Sequence, residues 1–161
     1  MIPSQFAYYR PDTVQEAVEL YRSLDEAGQK VLFYSGGTEI ITMARAGSLS
    51  PQAVIDLKAI RECNGWAAEG ETLAFGACST LAAIHASRVF PLLGTTCSRV
   101  ADHSAQCKIT LGGNACGSIQ YHEAVLPMLL ANAQVETDGL GGPRKHPIQS
   151  LFGTRLSPRK G

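Results

Sequence analysis

Apolar and polar positions along the chain follow two rhythms, and the changes between them fall at glycine and proline. An extended stretch at 6–9 gives way to Arg10-Pro11-Asp12-Thr13, after which Val14, Ala17, Val18, Tyr21 and Leu24 recur at helical spacing. Asp12 or Thr13 is placed to cap that helix, and Gly28 ends it. The apolar run Val31-Leu32-Phe33-Tyr34 predicts a short buried strand. Ile40, Ile41, Met43 and Ala44 predict a helix capped by Thr38 and closed by Gly47, and residues 54–57 a second strand. Together these make a small strand–helix–strand lobe over 1–57.

A second lobe is expected over 58–155. Residues 66–69 and 72–75 flank Gly70-Glu71 as a hairpin. Ser79 or Thr80 caps a helix carrying Leu81 and Ile84, and Pro91 suits the first turn of another. Residues 101–109 are polar and predict irregular chain. Residues 123–131 predict a strongly apolar helix with Pro127 in its first turn or at a kink. Residues 134–137 predict a strand with 144–148 as its partner, and 156–161 a loose basic tail.

Two segments between these elements carry candidate chemistry. Ser35-Gly36-Gly37-Thr38-Glu39 follows a strand and opens a helix, and Thr110-Leu111-Gly112-Gly113-Asn114 pairs two glycines with a hydroxyl and an amide. Each offers backbone amides unobstructed by side chains, and together they predict two nests closing on one anionic group. Ordinary turn-and-cap motifs are the competing reading.

Composition narrows the classes. Lys plus Arg and Asp plus Glu each number 14 among 161 residues. Zero formal charge argues against a general basic field for nucleic acid and against a polybasic membrane surface. No apolar run is long enough to cross a bilayer, and the N-terminus lacks the regions of a secretory signal, so a cytoplasmic protein is expected. The five cysteines include no Cys-x-x-Cys pair, and the four histidines show no recognised metal spacing. Free thiols, rather than a metal site, are expected.

The segments 35–39, 54–57 and 110–114, in this order, resemble the motif series of the FAD-binding medium subunit of the molybdenum hydroxylases, the family of xanthine dehydrogenase and carbon monoxide dehydrogenase. Residues 123–131 resemble that family's next helix. The likeness runs from about Phe6 to Phe152 and is nearest to bacterial xanthine dehydrogenase FAD subunits. It implies an α+β, two-lobed FAD-binding fold of the vanillyl-alcohol-oxidase (PCMH) type, a small βαβ lobe plus a larger antiparallel-sheet lobe with helices. It also implies that FAD is bound by Ser35, Gly36, Gly37, Thr38 and Glu39 from one loop and Thr110, Leu111, Gly112, Gly113 and Asn114 from the other.

Neither loop contains Lys or Arg, so the amides of Gly36, Gly37, Thr38, Gly112, Gly113 and Asn114, with a helix dipole, are expected to hold the pyrophosphate. Glu39 is expected to turn away from it. Glu123 matches the acid that in the family reaches the ribityl or adenosine part of the flavin; a first-turn capping acid is the alternative. His103, Lys108, Tyr121 and His122 lie near enough to approach the cofactor, with solvated or core positions as the alternatives, and Trp66 is expected to cover the second core.

Two departures stand out. Gln106-Cys107 replaces Arg-Asn before the second loop, and Ile119-Gln120-Tyr121 replaces a Pro-Asp pattern after it. Family subunits also continue into a third, C-terminal domain, which this chain ends before. The resemblance implies an electron-transfer subunit that works with a molybdopterin-binding large subunit and a [2Fe–2S] small subunit, with NAD+ as acceptor. No residue has the setting of a nucleophile or general base, so no catalytic residue is assigned. A flavin-free interaction or assembly subunit and a self-contained flavin oxidase are the alternatives.

Overall fold

Residues 53–56, Ala-Val-Ile-Asp, form a strand buried at every position, and a strand of that kind needs neighbours on both edges. In the structure, a computed structural model describing residues 5–119 and 121–151, β3 (Ala53–Asp56) lies between β1 (Ala7–Tyr9) and β2 (Val31–Tyr34). Both pairings are parallel, Tyr9 opposite Ile55 and Tyr34 opposite Asp56. The two crossovers are helices. α1 (Val14–Glu26) starts with a capping box: Thr13 Oγ1 accepts from the Glu16 amide at 3.2 Å, and the Glu16 carboxylate accepts from the amides of Asp12 at 2.9 Å and Thr13 at 3.3 Å. Its buried Ala17 and Leu24 meet Val31, Ala53, Ile55 and Ile60 in the first core.

α2 (Thr38–Arg45) departs from expectation at its start. Its N-cap is Gly37 in the left-handed region at φ 72°, and Thr38 is already helical. Tyr34 accounts for the glycine: a Cβ on Gly37 would collide with the Tyr34 ring and hydroxyl. A side chain there would meet backbone strain and a clash together.

From residue 66 the described chain combines two hairpins with six short helices. β4 (Trp66–Glu69) and β5 (Thr72–Phe75) form the expected hairpin, and β6 (Gln134–Thr137) pairs with β7 (Arg144–Pro147) in a second one. Among the described residues these antiparallel strands form two separate hairpins. The second core gathers Leu81 and Ile84 of α3 (Leu81–Ser87), Leu93 and Cys97 of α4 (Pro91–Cys97), Val100, Ala124 and Leu111, the first residue of α6 (Leu111–Cys116). Pro91 takes the first position of α4, and Pro127 lies in the first turn of α7 (Val125–Leu130), where neither removes a helical hydrogen bond. α8 (Ile148–Leu151) follows β7. The tail at 156–161 lies outside the described residues.

Two expectations fail here. Residues 101–109 contain a short helix, α5 (His103–Gln106), capped by Asp102, whose Oδ1 accepts from the Ala105 amide at 2.7 Å. The same helix buries Gln106, whose amide donates to the carbonyls of Ser98, Val100 and Ala101 and so ties off the end of α4. Trp66 does not cover the second core: it sits at the edge of the hairpin opposite Phe75 and is 49% exposed. No helix among the described residues is long and apolar enough to cross a membrane.

The capping box makes α1 the simplest local test. Thr13→Ala is expected to lower the unfolding free energy in urea by about 1 kcal/mol, and Thr13→Ser to keep most of it. Equal stabilities for Thr13→Ala and the native chain would mean that packing alone sets the start of α1.

Candidate functional site

Parallel strands end at the same edge of a sheet, and that edge is where a ligand meets helix N-termini. Here β2 ends at Tyr34 and β3 at Asp56, and the chain after β2 turns through Ser35–Gly37 into α2. The segment 108–112 lies directly against this turn. Ser35 Oγ donates to Thr110 Oγ1 at 2.9 Å, and a Cβ on Gly36 would collide with the Lys108 carbonyl. The two glycine segments foreseen in the sequence are therefore brought together, across 75 positions of chain. Thr110 is almost fully buried.

The two segments contribute differently. Gly36 and Gly37 donate their amides to no acceptor among the described residues, and α2 has no side-chain cap, so the Thr38, Glu39 and Ile40 amides also point out of the helix unpaired. Five backbone donors thus stand unpaired at this helix N-terminus and in the turn before it, among the described residues. α6 is the opposite case. The Leu111 amide donates to Ser79 O at 2.9 Å, Gly112 to Ala77 O at 2.8 Å, Gly113 to Thr110 Oγ1 at 3.2 Å and Asn114 to Thr110 O at 2.8 Å. The expectation that Gly112, Gly113 and Asn114 form a second nest of free amides is corrected: Thr110 is an N-cap and those residues are the first turn of a helix. The second segment offers hydroxyl chemistry instead. Thr110 Oγ1 accepts from both Ser35 Oγ and the Gly113 amide, so it joins the two segments.

Glu39 turns away from the α2 N-terminus, as expected, and its destination is specific. Its carboxylate accepts from the Ser118 amide at 2.9 and 3.1 Å and from the Ser118 hydroxyl, with the Ile119 amide at 3.5 Å. Gly117 makes room: a Cβ there would sit 2.7 Å from Glu39 Oε2. Glu123 lies at the far side of the same region, with Oε2 3.4 Å from Asn114 Nδ2, while Asn114 Oδ1 accepts from the Ala124 amide at 3.2 Å and Asn114 O meets His122 Nδ1 at 2.6 Å. Glu39, Gly113, Asn114, Ile119, Tyr121 and Glu123 wall a cavity of about 220 Å³. Tyr121 is exposed rather than packed in a core.

One cation was missed. Lys58 Nζ donates to Ser35 O at 3.0 Å and to both Asp56 carboxylate oxygens at 2.8 Å, and stands 4.3 Å from the centre of the Tyr34 ring. It lies outside both glycine segments in sequence but beside the first in space. The pairing of Tyr34 with Asp56 was the signal that could have found it, since a residue two past the end of β3 must sit near the turn that follows β2.

The two carboxylates of the site hold their protons weakly. Burial pulls both upward, but the Ser118 and Ile119 donors outweigh it at Glu39, and Lys58 with the Tyr8 hydroxyl outweighs it at Asp56. Folding thus lowers both values, so their stabilisation is complete above the ordinary carboxylate range of about 3.9–4.3 and is lost as pH falls through the depressed folded values. Urea midpoints are expected to hold down to about pH 5 and then fall, with a shallower fall in Glu39→Gln. An unchanged acid slope in that variant would show that the Glu39 contact is not proton-linked to folding.

The chain matches, over residues 4–158, the family described as the FAD binding domain in molybdopterin dehydrogenase. Among curated relatives, it is 27% identical over 156 residues to the carbon monoxide dehydrogenase medium chain of Hydrogenophaga pseudoflava, covering 94% of this chain and 53% of that protein. It is 26% identical over 152 residues to the nicotinate dehydrogenase FAD-subunit of Eubacterium barkeri, covering 91% and 50%. The solved carbon monoxide dehydrogenase from Hydrogenophaga pseudoflava superposes with a TM-score of 0.87 at 28% identity, over 98% of this chain and 56% of that one. Quinoline 2-oxidoreductase from Pseudomonas putida 86, at 18% identity and a TM-score of 0.88 over 100% and 56%, shares the fold. The chain spans about half the length of the relatives it matches. It belongs to the family of FAD-binding domains of the molybdopterin dehydrogenases, whose cofactor is FAD and whose fold is the α+β, PCMH type.

Proposed function

We propose that this chain is the FAD-holding part of a xanthine dehydrogenase-like molybdenum hydroxylase, in which electrons pass from [2Fe–2S] clusters on a small subunit through FAD to NAD+. Its partners on this reading are a molybdopterin-binding large subunit and the iron–sulfur subunit, in the cytoplasm. The likeness to medium chains and FAD-subunits of such complexes supports the general class. The xanthine dehydrogenase type rests on the resemblance of the sequence to bacterial xanthine dehydrogenase FAD subunits, whereas the order of the segments 35–39 and 110–114 is common to the family. The two-lobe division is part of the same proposal, with the lobes 1–57 and 58–155 each bringing one wall of the cradle.

The observation that carries the reading is the set of unpaired amides at Gly36, Gly37, Thr38, Glu39 and Ile40, with Lys58 beside them. That set fits a pyrophosphate: unpaired donors and a helix dipole for the anion, with Glu39 drawn off to Ser118 and Lys58, paired with Asp56, beside the turn. Ser35 and Thr110 hold the facing segment against this turn. Leu111, Gly112 and Gly113 take part by holding Thr110 in place, and Asn114 by orienting Glu123 toward the adenosine side. FAD supplies the redox chemistry when bound; the chain's own residues bind and orient it and neutralise its charge.

Titration of the purified chain with FAD, ADP and FMN tests the cradle, because FMN lacks the pyrophosphate and adenosine. FAD and ADP are expected to bind and FMN only weakly. Gly36→Ala, whose Cβ would push against the Lys108 carbonyl, is expected to weaken FAD by about tenfold or more, roughly 1.4 kcal/mol, with thermal unfolding followed alongside. Equal binding of FMN and FAD would remove the pyrophosphate assignment. No binding by the folded chain would point to a flavin-free interaction module instead, and reoxidation of the reduced complex by NAD+ tests the acceptor.

A further inference from the structure

Backbone hydrogen bonds join the segments that lead into and out of the hairpin of β4 and β5. Gly65 turns the chain at φ 72° just before Trp66, and Cys63 is the last residue of a short 3-10 helix, Arg61–Cys63. The Gly76 amide donates to Gly65 O at 2.9 Å, and the Cys78 amide to Cys63 O at 2.6 Å. Cys63 and Cys78 are therefore in backbone contact, with side chains close enough for one thiol to hydrogen-bond the other sulfur, the proximity that a disulfide needs. Gly76 lets the segments approach so closely, since a Cβ there would collide with Cys63. Both cysteines are thiols in this structure, Cys78 buried and Cys63 partly exposed.

The surroundings separate the two sulfurs. A hydrogen bond from the Cys63 thiol favours the Cys78 thiolate, with help from the Ser35 hydroxyl and the Lys58 charge, and this outweighs burial and the Asp56 carboxylate, so Cys78 is held below the usual thiol range. Cys63 moves up, because its proton is engaged by Cys78 and by burial. Burial also pushes Cys97 up to about 11 and raises Cys116. Cys78 forms part of the wall of a cavity of about 200 Å³, with Asn64, Trp66, Phe75 and Ile84.

We propose that Cys63 and Cys78 are a redox modification site, a dithiol that hydrogen peroxide closes to a disulfide beside the cradle. The Cys78 thiolate attacks one peroxide oxygen: an S–O bond forms, the O–O bond breaks, and hydroxide leaves to take up a proton as water. The Cys63 sulfur then attacks Cys78, the S–S bond forms, and the S–O bond breaks with a second water carrying off the Cys63 proton. Two thiols lose two electrons and one peroxide becomes two waters. The bond forms at a junction. Ala77 and Ser79, flanking Cys78, hold the first two amides of α6, and Ser35 touches both Cys78 and Thr110.

The test needs no flavin, so it stands or falls apart from the binding reading. The purified 161-residue chain is treated with hydrogen peroxide, its remaining thiols are alkylated, and its peptides are mapped by mass. The expected product is the Cys63 peptide joined to the Cys78 peptide with the loss of two hydrogens, reversed by dithiothreitol and formed at least about tenfold faster than oxidation of Cys97. With Cys63→Ser, dimedone is expected to trap a sulfenic acid at Cys78. The proposal is overturned if the native chain keeps both thiols open to alkylation, or if Cys78 advances to sulfinic acid with no cross-link.

Discussion

The hydroxyl contact between Ser35 and Thr110 is the constraint on which the rest of the site depends. It joins the turn after β2 to the N-cap of α6, and the Gly36 backbone lies flat against Lys108 at the same place. Because the joint uses side-chain hydroxyls and a carbonyl, it leaves the amides of 36–40 free to face outward. Had Ser35 or Thr110 capped α2 instead, the amides at the start of that helix would be engaged from within. Engagement of one helix N-terminus by its own cap and vacancy of the other divide the labour between scaffold and ligand.

Much of this was legible in the sequence, for reasons that differ by element. The hairpin at 66–75 and the strand 31–34 were readable because glycine marks their ends and apolar residues fill them. The cap of α1 was narrowed to Asp12 or Thr13 because capping is local, and the structure gives it to Thr13. α5 was not, since His-Ser-Ala-Gln has no apolar period; its helix is set by Asp102 and by the three carbonyls that Gln106 reaches through space. The exposure of Trp66 escaped for a related reason, because size predicts burial but a residue's face in a hairpin depends on what packs beside it.

The glycine segments show the same boundary within one motif. Sequence reveals a missing side chain without saying whose atoms use the space. At Gly36 and Gly112 the user is the protein's own backbone, at Lys108 and Ala77, while at Gly37 it is the Tyr34 ring. The pairing of the two segments was therefore foreseen correctly, yet the share of free amides was assigned evenly when it falls on one side. Lys58 was missed because charge was counted along the segment rather than around it.

Glu39 carries a consequence for the order in which the chain takes shape. Its partner Ser118 lies 79 positions later, so nothing can hold that carboxylate while the first half of the polypeptide stands alone. The β1-β3-β2 sheet, by contrast, has all its strands once residue 56 has been made. During synthesis the sheet can therefore assemble around a helix N-terminus that still carries a loose acid of its own, beside its unpaired amides. Arrival of the 117–119 segment draws that acid aside, so the site matures late, and its opening reports that the two halves of the chain have met.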